Sequence, residues 1–223
     1  MKLLLSGISH VFDCSAPEKI NCIIIENQNL LYDILCDIVG QLDGNEGNSV
    51  LSEDNNVIPM NKNLEMLSQF VPFEINKKNL LSKLQGKILQ LALEDVNYAA
   101  TMELLSTIEK YCIELSMNMT GNVEFTKITV ENLIKNVGAE FDDNYSNLSE
   151  KLIDYFELVR EYDKDKVFVL VNLRSVVKDE ELDLLLETSL ARKYQLLLID
   201  SSEHKLLSNE KRHIIDENLC EIW

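Results

Sequence analysis

At 223 residues and 25.6 kDa the chain has room for one large domain or two modest ones, and 46% hydrophobic with 26% charged residues excludes a disordered tail. A net charge of −17 argues against nucleic acid unless the 21 Lys and Arg are segregated onto one surface, because phosphate binding rests on neutralising cations. The apolar runs are too short to span a bilayer, five scattered cysteines without C-x-x-C read as buried free thiols of a reducing compartment, and His10, His204 and His213 form no zinc motif, so a cytoplasmic protein is expected.

In chain order, MKLLLSGI reads as a strand, because Ser6, Gly7 and Ser9 interrupt what could have been a secretory leader. INCIIIE at 20–26 and LEMLSQF at 64–70 are further β-like runs. Between them NLLYDILCDIVGQL carries Leu30, Leu31, Ile34, Leu35 and Ile38 at helical spacing, followed by GNEGNSVLSEDNN, which reads as a loop.

From 76 to 162 the texture is helical throughout. NKKNLLSKLQGKILQLALEDVNY sets Leu80, Leu84, Ile88 and Leu91 on one face, with Lys83 and Lys87 one turn apart beside it. YAATMELLSTIEKYCIELSM repeats the pattern with Leu105, Ile108, Cys112 and Leu115. TVENLIKNV should stop at Gly138, and NLSEKLIDYFELVREY opens on Asn147 as cap with Glu150 three residues on.

From 163 the βα texture returns. KVFVLVNL and YQLLLID read as strands buried on both faces. The helix between them has Asp179, Glu180 and Glu181 in its first turn and Arg192 and Lys193 in its last, matching its dipole. Strand, helix, strand at this spacing is a parallel crossover. The fold class expected is an α/β head built from residues 1–75 plus 163–223, a degenerate nucleotide-hydrolase-like sheet without phosphate loop, with an inserted all-α leg at 76–162.

LLLID looks like the acidic strand of a nucleotide-hydrolysing domain, yet no glycine-rich loop with Lys and Ser or Thr follows the first strands. Asp200 therefore reads as a turn or capping residue, and no nucleotide is expected. No nucleophile elbow or other catalytic set stands out, so the chain is read as no enzyme. Beyond the strand ends lie Arg174 and Lys178, read either as surface cations or as an anion-binding surface.

The segments KITVENLIKNVGAEF, NLSEKLIDYFELVREY, VFVLVN followed by LRSVVKDEELDLL, LLLIDSSEHKLL and HIIDENLCEI occur in an order that resembles the Csn-two family, the small adaptation proteins of subtype II-A CRISPR systems. The resemblance implies a ring-shaped homotetramer that takes linear double-stranded DNA through a lysine-lined hole during spacer acquisition, beside the CRISPR integrase and RNA-guided nuclease. It also implies calcium near the leg helices. In GNVEFTKITVENLIK the candidates are Asn122, Glu124 and Glu131, although Thr126, Lys127 and Asn132 stand where relatives often carry carboxylates. Calcium wants six to eight oxygens, and a lysine supplies none.

For DNA the candidate residues are Lys62, Lys77, Lys78, Lys83 and Lys87, five lysines within 62–87, with Arg174 and Lys178. Two other functions fit less of the pattern: a nucleotide-dependent enzyme with a degenerate site near Asp200, and an acidic scaffold that binds other adaptation proteins.

Overall fold

The computed structural model describes residues 1–15 and 18–222. The chain begins with β1 (Lys2–Leu4), β2 (Val11–Asp13), β3 (Ile20–Ile25), α1 (Gln28–Leu42), β4 (Val50–Glu53), β5 (Asn56–Val57), α2 (Met60–Asn63) and β6 (Leu64–Leu67). The helices α3 (Lys78–Leu93), α4 (Asp95–Ser116), α5 (Val130–Val137) and α6 (Leu148–Tyr162) follow. It closes with β7 (Val167–Val171), a 3-10 turn (Leu173–Ser175), α7 (Asp179–Arg192), β8 (Gln195–Asp200), β9 (Glu210–Ile215) and β10 (Glu221–Ile222). The result is a mixed α/β region and a helical region, divided into Met1–Glu74 with Asn144–Trp223, and Ile75–Asp143.

In the α/β unit the main sheet has the order β10-β9-β3-β8-β7-β6. Its neighbours are parallel except β10, which runs antiparallel to β9. β3, β7 and β8 lie inside the sheet, and their continuous apolar runs follow from burial on both faces. One face packs Ile23, Ile25, Val169, Leu197 and Ile199 with Ile34 and Ile38 of α1 and with Leu3 and Phe12.

Leu3 and Phe12 belong to a second sheet, antiparallel, in the order β2-β1-β4-β5. The segment 44–56 was expected to be loop, but VLSE pairs with β1 and turns back through Asp54 and Asn55. Both turn residues have positive φ, 48° and 64°, the backbone of a two-residue hairpin turn. Two short strands around DN gave too little alternation to register as a hairpin.

The expected leg boundary at 162 moves to 143. Leu152, Tyr155, Phe156 and Val159 bury one stripe of α6, and the Phe156 ring stacks on Phe168 of β7 at 4.2 Å. Arg160 and Arg192 both reach Glu157, which also accepts from the Tyr194 hydroxyl. These contacts fix α6 to the sheet side of the division. Asn147 caps it as expected, accepting from Glu150 N at 2.9 Å, while the Glu150 carboxylate is taken by Ser146.

In the helical unit α3 packs against α4 and α5. Thr129 caps α5 by accepting from Asn132 N at 3.2 Å, and Gly138 ends it at φ 72°, as its position in the sequence indicates. Asn76 closes the unit by exchanging two hydrogen bonds with the backbone of Phe141.

Candidate nucleic-acid interface

Between Glu74 and Glu94 the sequence holds four lysines and no acid, although the chain has 38 Asp and Glu. Helix α3 occupies most of that stretch. Its straight-chain Leu, Lys and Gln residues favour a helix, and Leu80 is the residue that α3 fully buries. Lys83 and Lys87 are exposed and fall on one stripe, one turn apart. Lys77 is the N-cap, with no side-chain capping bond, and Lys78 begins the first turn. Two cations thus stand at the positive end of the helix dipole, where acids are the stabilising choice, and the last turn has no base. Charge is arranged here against helix stability, and the first turn is left attractive to an anion.

Lys62 is exposed on α2 and belongs to the α/β unit, so the five lysines of 62–87 are divided between the two units. Lys178 is exposed at the N-cap of α7.

Arg174 is withdrawn from any surface. Its side chain is 2% exposed and lies beneath the segment 201–209. Its guanidinium donates to Glu210 and, at 2.8 Å, to the Lys205 carbonyl, while Nε sits 3.7 Å from Asp200 Oδ2. Glu210 in turn accepts from Leu207 N at 3.1 Å. Buried and committed to two carboxylates, Arg174 cannot grip phosphate from this position, and it leaves the set of DNA-contacting residues.

Asp200 is likewise neither turn nor cap. It is the last residue of β8, 1% exposed, with the Cys22 thiol 3.6 Å from Oδ2. Burial pushes its carboxyl above the ordinary Asp value, opposed by the Arg174 guanidinium. The same burial, with both carboxylates nearby, drives the Cys22 thiol well above its usual range. The backbone just beyond Asp200 is held by Asn172 instead. At φ 54° after β7, its side chain accepts from Ser201 N at 2.8 Å. The sequence reading missed Glu210 and Cys22: Cys22 interrupts the apolar face that Ile20 and Ile24 share on β3, whereas Glu210 opens the charged run EKR and gave no such signal.

A family model described as CRISPR-associated protein (Cas_Csn2) matches residues 41–219, a span that includes α3, Arg174, Asp200 and Glu210. The chain belongs to this family. Membership gives it a general role as a DNA-binding protein of CRISPR adaptation, and is consistent with a protein that is not an enzyme. Among solved structures the chain is similar to Stu0660 of Streptococcus thermophilus, with 12% identity and a TM-score of 0.59 over 100% of this chain and 76% of the other. That likeness is one of fold. No curated protein matches the chain. Among the described residues no helix is long and apolar enough to cross a membrane.

For a Cas_Csn2 protein the resemblance implied calcium, and the residues named for it do not fit the ion. Asn122 and Glu124 are exposed in the irregular segment before α5, and Glu131 is held by Lys135 at 2.7 Å. That salt bridge also lowers the Glu131 carboxyl below its ordinary value. One amide and two carboxylates, one of them engaged, fall short of six to eight oxygens. Among the described residues no group of three His, Cys, Asp or Glu gathers as a metal site. The thiols are free as expected and Cys14 and Cys22 are buried, but Cys36 and Cys220 are exposed.

Proposed function

We propose that the chain is a non-enzymatic binder of linear double-stranded DNA ends, acting as a ring-shaped homotetramer in spacer acquisition beside the integrase and RNA-guided nuclease of the same system. The observation that carries this is the acid-free stretch 75–93, a local cationic surface in a chain of net charge −17. Salt screens the rest of the chain beyond about 8 Å at physiological strength, so a duplex responds to the nearest charges. In this reading Lys77, Lys78, Lys83 and Lys87 of the helical unit hold the sugar–phosphate backbone without reading sequence, and Lys62 and Lys178 are separate candidates on the α/β unit.

The α/β unit is read as a nucleotide-hydrolase-like scaffold that has lost its phosphate site. Residues 26 and 27 alone join β3 to α1, without a glycine, and Asn27 is spent capping the helix. At the other candidate position, Asp200 faces Arg174 in the interior, so a protein cation stands where a nucleotide's metal would have to sit.

A closed ring loads only over a free end. Linear duplex is expected to bind and covalently closed circles of equal length are not, and equal affinity for both would refute the ring. Replacing Lys77, Lys78 and Lys83 together with Glu should abolish binding while the assembly keeps its mass. Unchanged affinity in that variant would remove 75–93 as the DNA surface.

A further inference from the structure

Gly86 stands against the stability of its own helix. It lies in the middle of α3, where glycine is a poorer residue than alanine. Its backbone does not need a glycine, since its φ is not positive, and neither does its packing, since an added Cβ would meet nothing within 4 Å. What a missing side chain still gives is close approach of something from outside to the backbone.

Gly86 opens onto a cleft of about 180 Å³ between α3 and α5. Ser82, Gln85 and Leu89 line it from α3, and Glu131, Ile134 and Lys135 from α5. Clefts that enclose a whole small molecule or cofactor run to about 300–1,000 Å³, so this one takes part of a larger ligand. Its lining offers two kinds of surface. The Ser82 hydroxyl and the Gln85 amide are neutral donors of the sort that meet phosphate oxygens. Leu89 and Ile134 are apolar and suit the C–H face of a sugar.

The charge around the cleft has one sign. Lys83, one turn before Gly86, is its neighbour on the helix surface, and Lys78 precedes Ser82 and Gly86 on their face at four-residue spacing. Lys135 supplies a cation from the opposite wall. Glu131 is the acid of that lining, and it is bonded to Lys135 at 2.7 Å on an exposed surface. An acidic peptide would find the same cations, but its carboxylates stand on side chains and need no bare backbone beneath them. A phosphodiester carries its charge in the chain itself, so that chain has to come down onto the helix. A glycine permits this.

We propose that the cleft between α3 and α5 seats one strand of the sugar–phosphate backbone of duplex DNA. Gly86 is the point of closest approach, and Lys135 passes from Glu131 to a phosphate when the strand binds. This rests on the DNA-binding function proposed above and gives it a seat.

The test uses the full chain, with a linear duplex titrated by fluorescence anisotropy at several salt concentrations and thermal melts of every variant. Gly86→Gln should melt higher than the wild type, because glutamine is the better helix former. It should nevertheless lose about tenfold or more in affinity, the equivalent of one charge-assisted hydrogen bond to phosphate. Gly86→Ala should also melt higher and lose less affinity. Lys135→Gln should lower the slope of log affinity against log salt by roughly 1. Glu131→Gln should tighten binding, since it frees Lys135. Wild-type affinity in Gly86→Gln overturns the proposal. If the Lys77, Lys78 and Lys83 variant has then lost binding, the DNA-binding function stands and the cleft is left to some other ligand, such as an acidic peptide. A wild type that ignores linear duplex overturns the function and the cleft together. Weaker binding in Gly86→Gln with a lower melting temperature would assign the glycine to the helix itself and overturn its role here.

Discussion

The two units treat charge and apolar surface in opposite ways. In the α/β unit a guanidinium and two carboxylates have side chains no more than 2% exposed, and β3, β7 and β8 present almost nothing to water. In the helical unit only Ile75, Leu80, Leu105 and Val130 are buried hydrophobics among the described residues. Lys78, Lys83, Lys87, Lys110, Lys127 and Lys135 are exposed, and more than half of the large apolar side chains exposed among the described residues lie in this unit. Helices α7 and α3 condense the contrast. The first carries three acids in its first turn and Arg192 in its last, while the second starts on Lys77 and Lys78 and has no base in its last turn. One helix is charged for its own stability and the other for something outside itself.

The sharpest way to break this contrast is to remove the buried cation. Arg174→Met strands Asp200 and Glu210 in the interior, and urea unfolding should report a loss of about 3–5 kcal/mol. A loss under about 1 kcal/mol would mean that the cluster does not hold the segment 201–209. Next comes the exposed charge. Lys83→Ala with Lys87→Ala should leave stability unchanged and lower the slope of log affinity against log salt by roughly 1 per lysine. A drop in melting temperature without a change of slope would assign both residues to structure.

A smaller effect separates the units by pH. His213 of β9 stacks on His10 at 5.6 Å and lies edge-on to Phe12. Burial holds it below the ordinary 6.5, Glu221 pulling the other way and His10 and Lys211 assisting. A histidine depressed in the folded state adds stability that is complete above pH 6.5 and lost as pH falls through its folded value. Below pH 6.5 the wild type should therefore lose stability that His213→Phe retains, and parallel melting curves would disprove it. The smallest expected change is a gain. Gly86 sits mid-helix in α3 with nothing within 4 Å of an added Cβ, so Gly86→Ala should stabilise the helical unit by about 1 kcal/mol, read from thermal melts.

Much of the fold was legible because its signals are local. INCIII and VFVLV announce strands by unbroken burial, and Asn147 and Gly138 mark helix ends through the backbone geometry they favour. The lysines of α3 were equally visible, since an acid-free stretch in an acidic chain needs no structure to be noticed. Arg174 was not. It precedes Glu210 by 36 residues and looks like any cation after a strand until the parallel sheet brings both beneath one loop. In the same way EKRHII reads as a solvated strand, and it is Arg174 that turns Glu210 inward. Helix α6 went to the wrong unit for a related reason. Its apolar stripe states that it packs, not against what.

The division at 74 and 143 has a consequence for how the molecule is made. Strand β3 emerges early in synthesis, but both of its neighbours, β8 and β9, lie after residue 194. At 5–20 residues per second the INCIII segment waits roughly 10–35 s for them. The stretch 75–143 is contiguous, so all of it is synthesised within that interval. A nascent chain of this protein thus carries an uncharged, unpaired β-former through most of its synthesis, and its dependence on chaperones should be concentrated at those six residues.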